Sequence, residues 1–409
     1  MLEKKYQYPV ILVPGLCAYG ENGLGKVLPY FGKASQLIRE EGLECYTATF
    51  GSLSGVWDRA CELYAQIVGG TVDYGQAHSE RYGTERYGAT YEGFIKNWDS
   101  TNKISLVAYG FGAPVVRLLA HLLEYGSVKE QRTGGDISPL FRGQMGDYIH
   151  AIVTLAGNND GTTFFQAADY YVPWCTKALT LAAWGGKSLI ASVKEMVKDT
   201  PKSTPYGNVL EVAVNGSGNY KFLNLDKDLL EKYETAGRDN IFFDAGLEGM
   251  AQLNKLLKIN PNVYYVSYTG EVTKDANDHL PKKKATHGNP FTTKKKDKLL
   301  DFSVPTKKAG VLAPLSLFIG TFKNYLPDAP LVTPVYQCND GFMPTNCALA
   351  PSTEEYTSFH YLDTCRPGVW YQMPIDEERN HLAFLGLFQK KEAYQDLVED
   401  YLDILCNIG

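Results

Sequence analysis

The stretch that most constrains this chain is Val107-Ala-Tyr-Gly-Phe-Gly-Ala-Pro-Val-Val-Arg117. A short apolar run, Lys103–Ala108, precedes it, and Val115–Tyr125 follows with leucines at helical spacing. A buried strand that breaks at a sharp turn and continues as a helix is the setting of a nucleophile elbow, G-x-S-x-G. The elbow needs small residues two before and two after its tip, because the backbone there is strained and crowded. Ala108 and Gly112 meet that need, but the tip itself is Gly110, which has no hydroxyl. The stretch has the frame of a serine nucleophile without the serine.

The flanking chain alternates strands and helices. Tyr8–Val13 reads as a buried strand opening into Pro14-Gly-Leu-Cys-Ala-Tyr-Gly20, a place for one backbone donor of an oxyanion hole, the N–H of Leu16. The other donor is the N–H of Phe111, the residue after the tip. Ala34–Glu41 and Trp57–Val68 read as helices, and Glu44–Phe50, Tyr148–Leu155 and Pro261–Tyr268 as strands. Such alternation predicts one α/β domain over 1–409, a mainly parallel sheet with helices on both faces. Residues 57–93 contain a polar, tyrosine-rich excursion that reads as an inserted subdomain. Residues 164–238 offer no strand for the sheet, and the pattern predicts a helix over 174–197 with an apolar face, as in a lid over a sheet's mouth. The lysine-rich segment 274–308 reads as a solvated loop.

Composition narrows the function. The formal net charge is -6, which gives no electrostatic case for nucleic acid. No run of about 18 apolar residues exists to cross a membrane. The eight cysteines include no C-x-x-C pair, so a zinc ribbon is not expected, and no disulfide framework is evident; Cys338 and Cys347 flank a loop and could pair. The charged start, Met1–Tyr6, is not a signal peptide; it fits an intracellular chain or one whose leader has been removed.

Further along, Val332–Gln337 reads as a strand leading into the turn Asn339-Asp-Gly341, and His381 precedes a closing helix, Lys391–Leu405. Nucleophile position, acid, base, in that order, is the α/β-hydrolase arrangement. Most of the chain resembles the bacterial lipases of the thermophilic Bacillus and Geobacillus group, which also has staphylococcal and clostridial members. The most specific patch is Trp57-Asp-Arg-Ala-Cys-Glu-Leu-Tyr-Ala-Gln66 with Val68-Gly-Gly-Thr-Val-Asp-Tyr-Gly75; Ser138-Pro-Leu-Phe141, Asp160-Gly-Thr-Thr163 and Asn339-Asp-Gly341 also match. The resemblance implies an α/β-hydrolase fold, a secreted protein, acyl-ester or lipid substrates, and a serine where this chain has Gly110. It places the catalytic acid on Asp340 and the base on His381. It implies a structural zinc site, with Asp58, His78 and Asp239 as three ligands; the fourth position falls on Thr84, beside Glu85. The acidic residues that the family's calcium site needs after the catalytic histidine are missing from His381–Leu387, so no calcium is expected, and no organic cofactor is implied.

Three readings account for Gly110. An introduced substitution silences an otherwise intact esterase; or the chain binds acyl lipids or a partner without turnover; or the chemistry has changed, with His381 activating water or Cys17 serving as an unusual nucleophile. The first has the support of a retained acid, base and elbow frame. His121, His150, His279, His287 and His360 are expected to be structural or surface groups.

Overall fold

A computed structural model of the chain describes residues 4–16, 18–20, 29–51, 54–171, 239–275, 303–322 and 334–409. Its centre is a seven-stranded sheet of β1 (Val10–Val13), β2 (Cys45–Thr47), β5 (Ile104–Tyr109), β6 (Ile149–Leu155), β7 (Tyr264–Tyr268), β10 (Tyr356–Ser358) and β11 (Trp370–Gln372). The spatial order is β10-β11-β7-β6-β5-β1-β2, and every pairing is parallel. Strands β1, β5 and β6 are buried along their whole length, as apolar runs covered on both faces must be.

The covering helices are α1 (Ala34–Glu40), α2 (Val56–Val68), α4 (Gly112–Tyr125) and the closing helix Lys391–Asn407. Ile11, Val13, Leu106 and Ala108 pack with α2 and α4 on one face, while Val10, Leu12 and Val107 pack with α1 and the closing helix on the other. Because β2 and β5 flank β1 on opposite sides, the chain reverses direction across the sheet between β1 and β5. Val13 pairs with Ala108, so the loops that leave both strands start level. A crevice at such a switch point is where open α/β sheets hold their ligands.

Between Gly69 and Gly93 the chain leaves the sheet for an antiparallel ribbon, β3 (Gly70–Asp73) with β4 (Tyr87–Tyr91), bridged by α3 (Gln76–Tyr82). The lysine-rich segment is not all loop: its ends form a second antiparallel ribbon, β8 (Thr273–Asp275) with β9 (Ser303–Pro305), in which backbone pairing outweighs the local charge. The lysine triplets themselves, the helix expected over 174–197, and Cys17, His279 and His287 lie outside the described residues; of 164–238 the structure describes the helix Phe164–Tyr171.

One expectation fails. Pro334–Tyr336 forms a 3₁₀ turn rather than part of a strand, as a proline without an N–H suits. Cys338 and Cys347 are not bridged. The bridge between Asn339 and Pro344 turns the chain tightly, and Cys347 packs inward with Met343 and Ala348.

The elbow's crowding is concrete at Gly112, where a Cβ would stand 2.4 Å from the Val13 carbonyl oxygen. At Gly110, among the described residues other than its chain neighbours, the nearest atom to a Cβ is His381 Nε2, at 3.5 Å. Gly112→Ala is therefore expected to cost about 2–3 kcal/mol of stability in urea unfolding. Gly110→Ala should cost about 1 kcal/mol, for its positive φ alone. Equal losses would contradict this account of the turn.

Candidate active site

Gly110 sits at the tip with φ +51°. Its N–H donates to Leu155 O (3.0 Å), and its carbonyl accepts from Asn158 N–H (2.8 Å), so the tip is fixed on both sides. His381 approaches from the far end of the sheet, in the 3₁₀ turn His381–Leu385 that Asn380 caps through the N–H of Ala383. Its Nδ1 lies 2.8 Å from Asp340 Oδ2. A carboxylate can only accept, so Nδ1 carries the hydrogen and Nε2 keeps its lone pair. Phe342 stacks on the imidazole at 5.1 Å, and the Tyr109 hydroxyl donates to the His381 carbonyl (3.2 Å). Upstream, Arg379 ties the loop down through Asp376 (2.6 Å) and the Ala393 carbonyl (2.6 Å).

Asp340 is held as firmly. Its Oδ1 accepts from the N–H groups of Phe342 (3.0 Å) and Met343 (2.7 Å). Behind it the buried Asn339 side chain accepts from Gly341 N–H (2.8 Å) and the Ser316 hydroxyl (2.9 Å) and donates to Gln337 O (2.8 Å). The Asn-Asp-Gly motif thus has a division of labour: Asn339 anchors, Asp340 orients His381, and Gly341 takes φ +104° in a turn where a Cβ would meet Leu312 at 2.6 Å.

The loop that carries Leu16 rests on a residue that sequence reasoning passed over. Arg59, fully buried on α2, donates from Nη1 to Gly15 O (2.7 Å), from Nε to Ser54 O (2.9 Å) and from Nη2 to Gly51 O (3.1 Å). The Gly15 carbonyl and the Leu16 N–H belong to one planar peptide and point in opposite directions. The bond to Arg59 therefore turns the Leu16 N–H away from the guanidinium. Tyr30 fixes the other side by donating to Leu16 O (2.8 Å). The guanidinium also lies over the Phe111 ring at 5.3 Å. No carbonyl or side chain among the described residues accepts from the N–H of Leu16 or of Phe111. Gly15 must be glycine, since its Cβ would stand 2.8 Å from Tyr109 O. The signal for Arg59 was present in the patch Trp57–Gln66, but spacing alone does not say which way an arginine faces.

Leu16, Gly110, Phe111 and His381 open onto one cavity of about 300 Å³, walled by apolar groups such as Phe165, Ile241, Leu382 and Leu385. The site residues expected from sequence, Gly110, Asp340, His381, Leu16 and Phe111, are all brought together here.

Asp58, His78 and Asp239 also meet, with one donor atom each within 4.8 Å of the others. His78 Nε2 lies 3.2 Å from Asp58 and 3.1 Å from Asp239, and Trp57 stacks flat on its ring. Burial alone would lower His78; hydrogen bonds to Asp239 and Asp58 lift it instead to about 9. Thr84 and Glu85 are exposed, Glu85 is not one of this group, and Gly83 before them caps α3 in a left-handed conformation. Asp244 takes a place the sequence did not suggest: a Cβ on Gly55 would lie 2.7 Å from its Oδ2 and 3.3 Å from Asp239 Oδ1. Burial pushes Asp244 up to about 7, against the pull of the Val56 N–H. Of the remaining histidines, His150 is buried among Tyr6, Tyr8 and Tyr264, where burial lowers it to about 4, and His360 is exposed.

Residues 6–300 match the family described as "Lipase-like, C-terminal domain". The chain belongs to this lipase-like family. It is 28% identical to Lipase 2 of Staphylococcus aureus over 417 residues, covering 97% of this chain and 54% of that protein, so it spans about half the length of the curated relatives it matches. Among solved structures it is similar to EstA from Clostridium botulinum, with a TM-score of 0.71 at 28% identity, covering 100% of this chain and 89% of that one. Lipase 1 from Pelosinus fermentans follows, with a TM-score of 0.66 at 27% identity, covering 97% and 98%. The fold is that of an α/β-hydrolase.

Glu62, one turn after Asp58, holds the same loop as Arg59: its carboxylate accepts from Gly51 N–H (3.1 Å) and from the Tyr74 hydroxyl (3.1 Å). Burial raises it from 4.5 to about 7. An acid raised on folding contributes stability that is full below its unfolded value and is lost as pH rises through its folded value. Stability to urea should therefore decline between about pH 5 and pH 8, and Glu62→Gln should flatten that decline by about 1–2 kcal/mol. An unchanged profile in the glutamine variant would show that Glu62 is ionised throughout.

Proposed function

We propose that this is an acyl-ester site of the lipase and carboxylesterase type whose covalent route is closed at Gly110. The observation that carries the reading is the Asp340–His381 pair aimed at the tip: Nε2 lies 3.5 Å from where a Cβ on Gly110 would stand, so a serine hydroxyl there would fall within hydrogen-bond reach of the base. With a serine, His381 would take the hydroxyl proton and later give it to the leaving alcohol. Asp340 would orient and stabilise the imidazolium, and the N–H groups of Leu16 and Phe111 would hold the oxyanion. With Gly110 no acyl-enzyme can form. The apolar cavity suits the acyl chain of a lipid or a simpler ester, and triglycerides, short-chain esters and polyesters all fit that description. By family likeness the chain works outside the cell, on substrate offered at a lipid surface. No helix among the described residues is long and apolar enough to cross a membrane.

Asp58, His78 and Asp239 suit a structural zinc ion. One imidazole and two carboxylates converge, and a metal would displace the hydrogen that lets His78 bond both acids. With Thr84 outside the group, the neighbouring Asp244 or water would complete the shell. The ion would tie the start of α2 to α3 and to the chain at Asp239.

Hydrolysis of p-nitrophenyl butyrate and palmitate by the chain and by Gly110→Ser tests the first reading. The serine variant should exceed the parent by about 10⁴-fold or more in kcat. A folded but inactive serine variant would refute the triad. Metal analysis tests the second: the purified protein should hold close to one equivalent of zinc, lost in His78→Ala together with part of its thermal stability. Protein that takes up no zinc on incubation and dialysis would rule the site out.

A further inference from the structure

A second recess lies away from the Gly110 cavity and shares no lining residue with it. Its volume is about 460 Å³, against about 300 Å³ for the cavity at the tip. It opens between α3, the later turns of α4, the short helix Val128–Gln131 and the helix Leu247–Leu256. Its floor is hydrocarbon. Leu118 and Leu122, one turn apart on α4, line one side, and Leu253 and Leu257, again four residues apart, line the other. Two further apolar side chains on its walls stand in solvent: Leu256 is 68% exposed and Val128 is 57% exposed. Exposed apolar residues scattered singly need no explanation, but these border one concave, apolar recess of the size that ligand sites have.

The charged groups that line the recess divide by sign. The acids are engaged. Glu130 is buried and accepts from the N–H groups of Ala77 (3.0 Å) and His78 (2.9 Å), Asp239 meets His78 (3.1 Å), and Asp244 accepts from Val56 N–H (2.7 Å). The cations are not. Arg81, Lys129 and Lys258 are exposed, and none of them pairs with a carboxylate among the described residues. In a chain of net charge -6, three unpaired cations at the edge of one apolar recess are a local reversal of sign. Lys258 Nζ stands 5.6 Å from the Tyr125 ring, and Lys129 follows Tyr125 by four residues, so two of the three gather by the end of α4. We infer that this recess binds a free long-chain carboxylate, with the alkyl chain between the two leucine pairs and the head at the lysines. An uncharged chain would cover the floor and leave the cations unmatched, and a cationic amphiphile would be repelled. A fatty acid is also what hydrolysis of an acyl ester releases, but the assignment rests on the recess alone and goes beyond the reading of the Gly110 cavity.

The test uses a photoreactive analogue of dodecanoate, kept below the concentration at which it forms micelles, with the labelled peptides identified by mass spectrometry. On the parent chain the label should fall within residues 118–129 and 247–258, and plain dodecanoate should displace it. Dodecanol, the same chain without the charge, should displace it at least about tenfold less well, and the dodecyltrimethylammonium cation should not displace it at all. Lys129→Glu/Lys258→Glu should weaken dodecanoate at least about tenfold while leaving dodecanol unchanged. Leu256→Asp puts a carboxylate on an exposed wall, where an unchanged thermal midpoint will show that folding is intact, and it should abolish the label in the recess. Label confined to peptides of the Gly110 cavity overturns the proposal, as does dodecanoate held equally well by the parent and by Lys129→Glu/Lys258→Glu. A recess covered by a second copy of the chain would overturn it too: sedimentation would show a dimer that Leu256→Asp converts to monomer, with no label in the recess of either.

Discussion

A single guanidinium holds the mouth of this sheet together. Arg59 is fully buried, and its three bonds to carbonyls end on Gly15, Gly51 and Ser54. Those carbonyls belong to the loops after β1 and β2, which have no strand or helix of their own to satisfy them. A buried charge is tolerated only when its hydrogen-bonding capacity is met. Here three of its N–H groups are given to main chain, which makes the loops as specific as the elements they join. The loop after β1 carries the Leu16 N–H, and Phe111, the other expected donor, lies beneath the same guanidinium. The position of the cavity floor thus depends on α2 as much as on the strands.

The same helix links the two clusters of ionisable groups. Asp58 meets His78 and Asp239; the next residue, Arg59, meets the oxyanion loop; Glu62, one turn on, meets Gly51. Asp58 and Arg59 are adjacent in sequence, so a shift of the first turn of α2 moves both. The contacts of Asp58 and Arg59 thus join the group around His78 to the backbone beside the cavity. The excursion between Gly69 and Gly93 is therefore coupled to the site through one helix.

What the sequence revealed follows from how much local signal each part carried. The strand, turn and helix around Gly110 were legible because three independent demands coincide there: an apolar run, small residues at fixed offsets, and leucines at helical spacing. Asp340 and His381 were legible through order and likeness, not through pattern. Strands β10 and β11 were missed; each is three residues long, too short for an alternation to register, and they exist because the edge of β7 needs a partner. The 3₁₀ turn at Pro334 was mistaken for a strand because Val332–Gln337 is apolar and β-branched, and proline's missing N–H decided against that propensity. Glu85, offered as a fourth ligand, is exposed and not among the three residues that meet, just after the left-handed Gly83. Asp244 is the converse case, a distant carboxylate brought to the cluster by tertiary contact with Val56.

The left-handed tip at Gly110 has a last consequence. Glycine is at ease at φ +51°, whereas any residue with a side chain is held there under load. Reactivity and conformational comfort are therefore opposed at a single position, which the bonds to Leu155 and Asn158 hold in place. Such a tip works as a ratchet. Moving toward glycine is downhill for the fold and leaves the rest of the machinery in register, whereas moving back requires the fold to bear strain again. A scaffold with this geometry can keep its acid, base and donors aligned long after the group they were arranged to serve has gone.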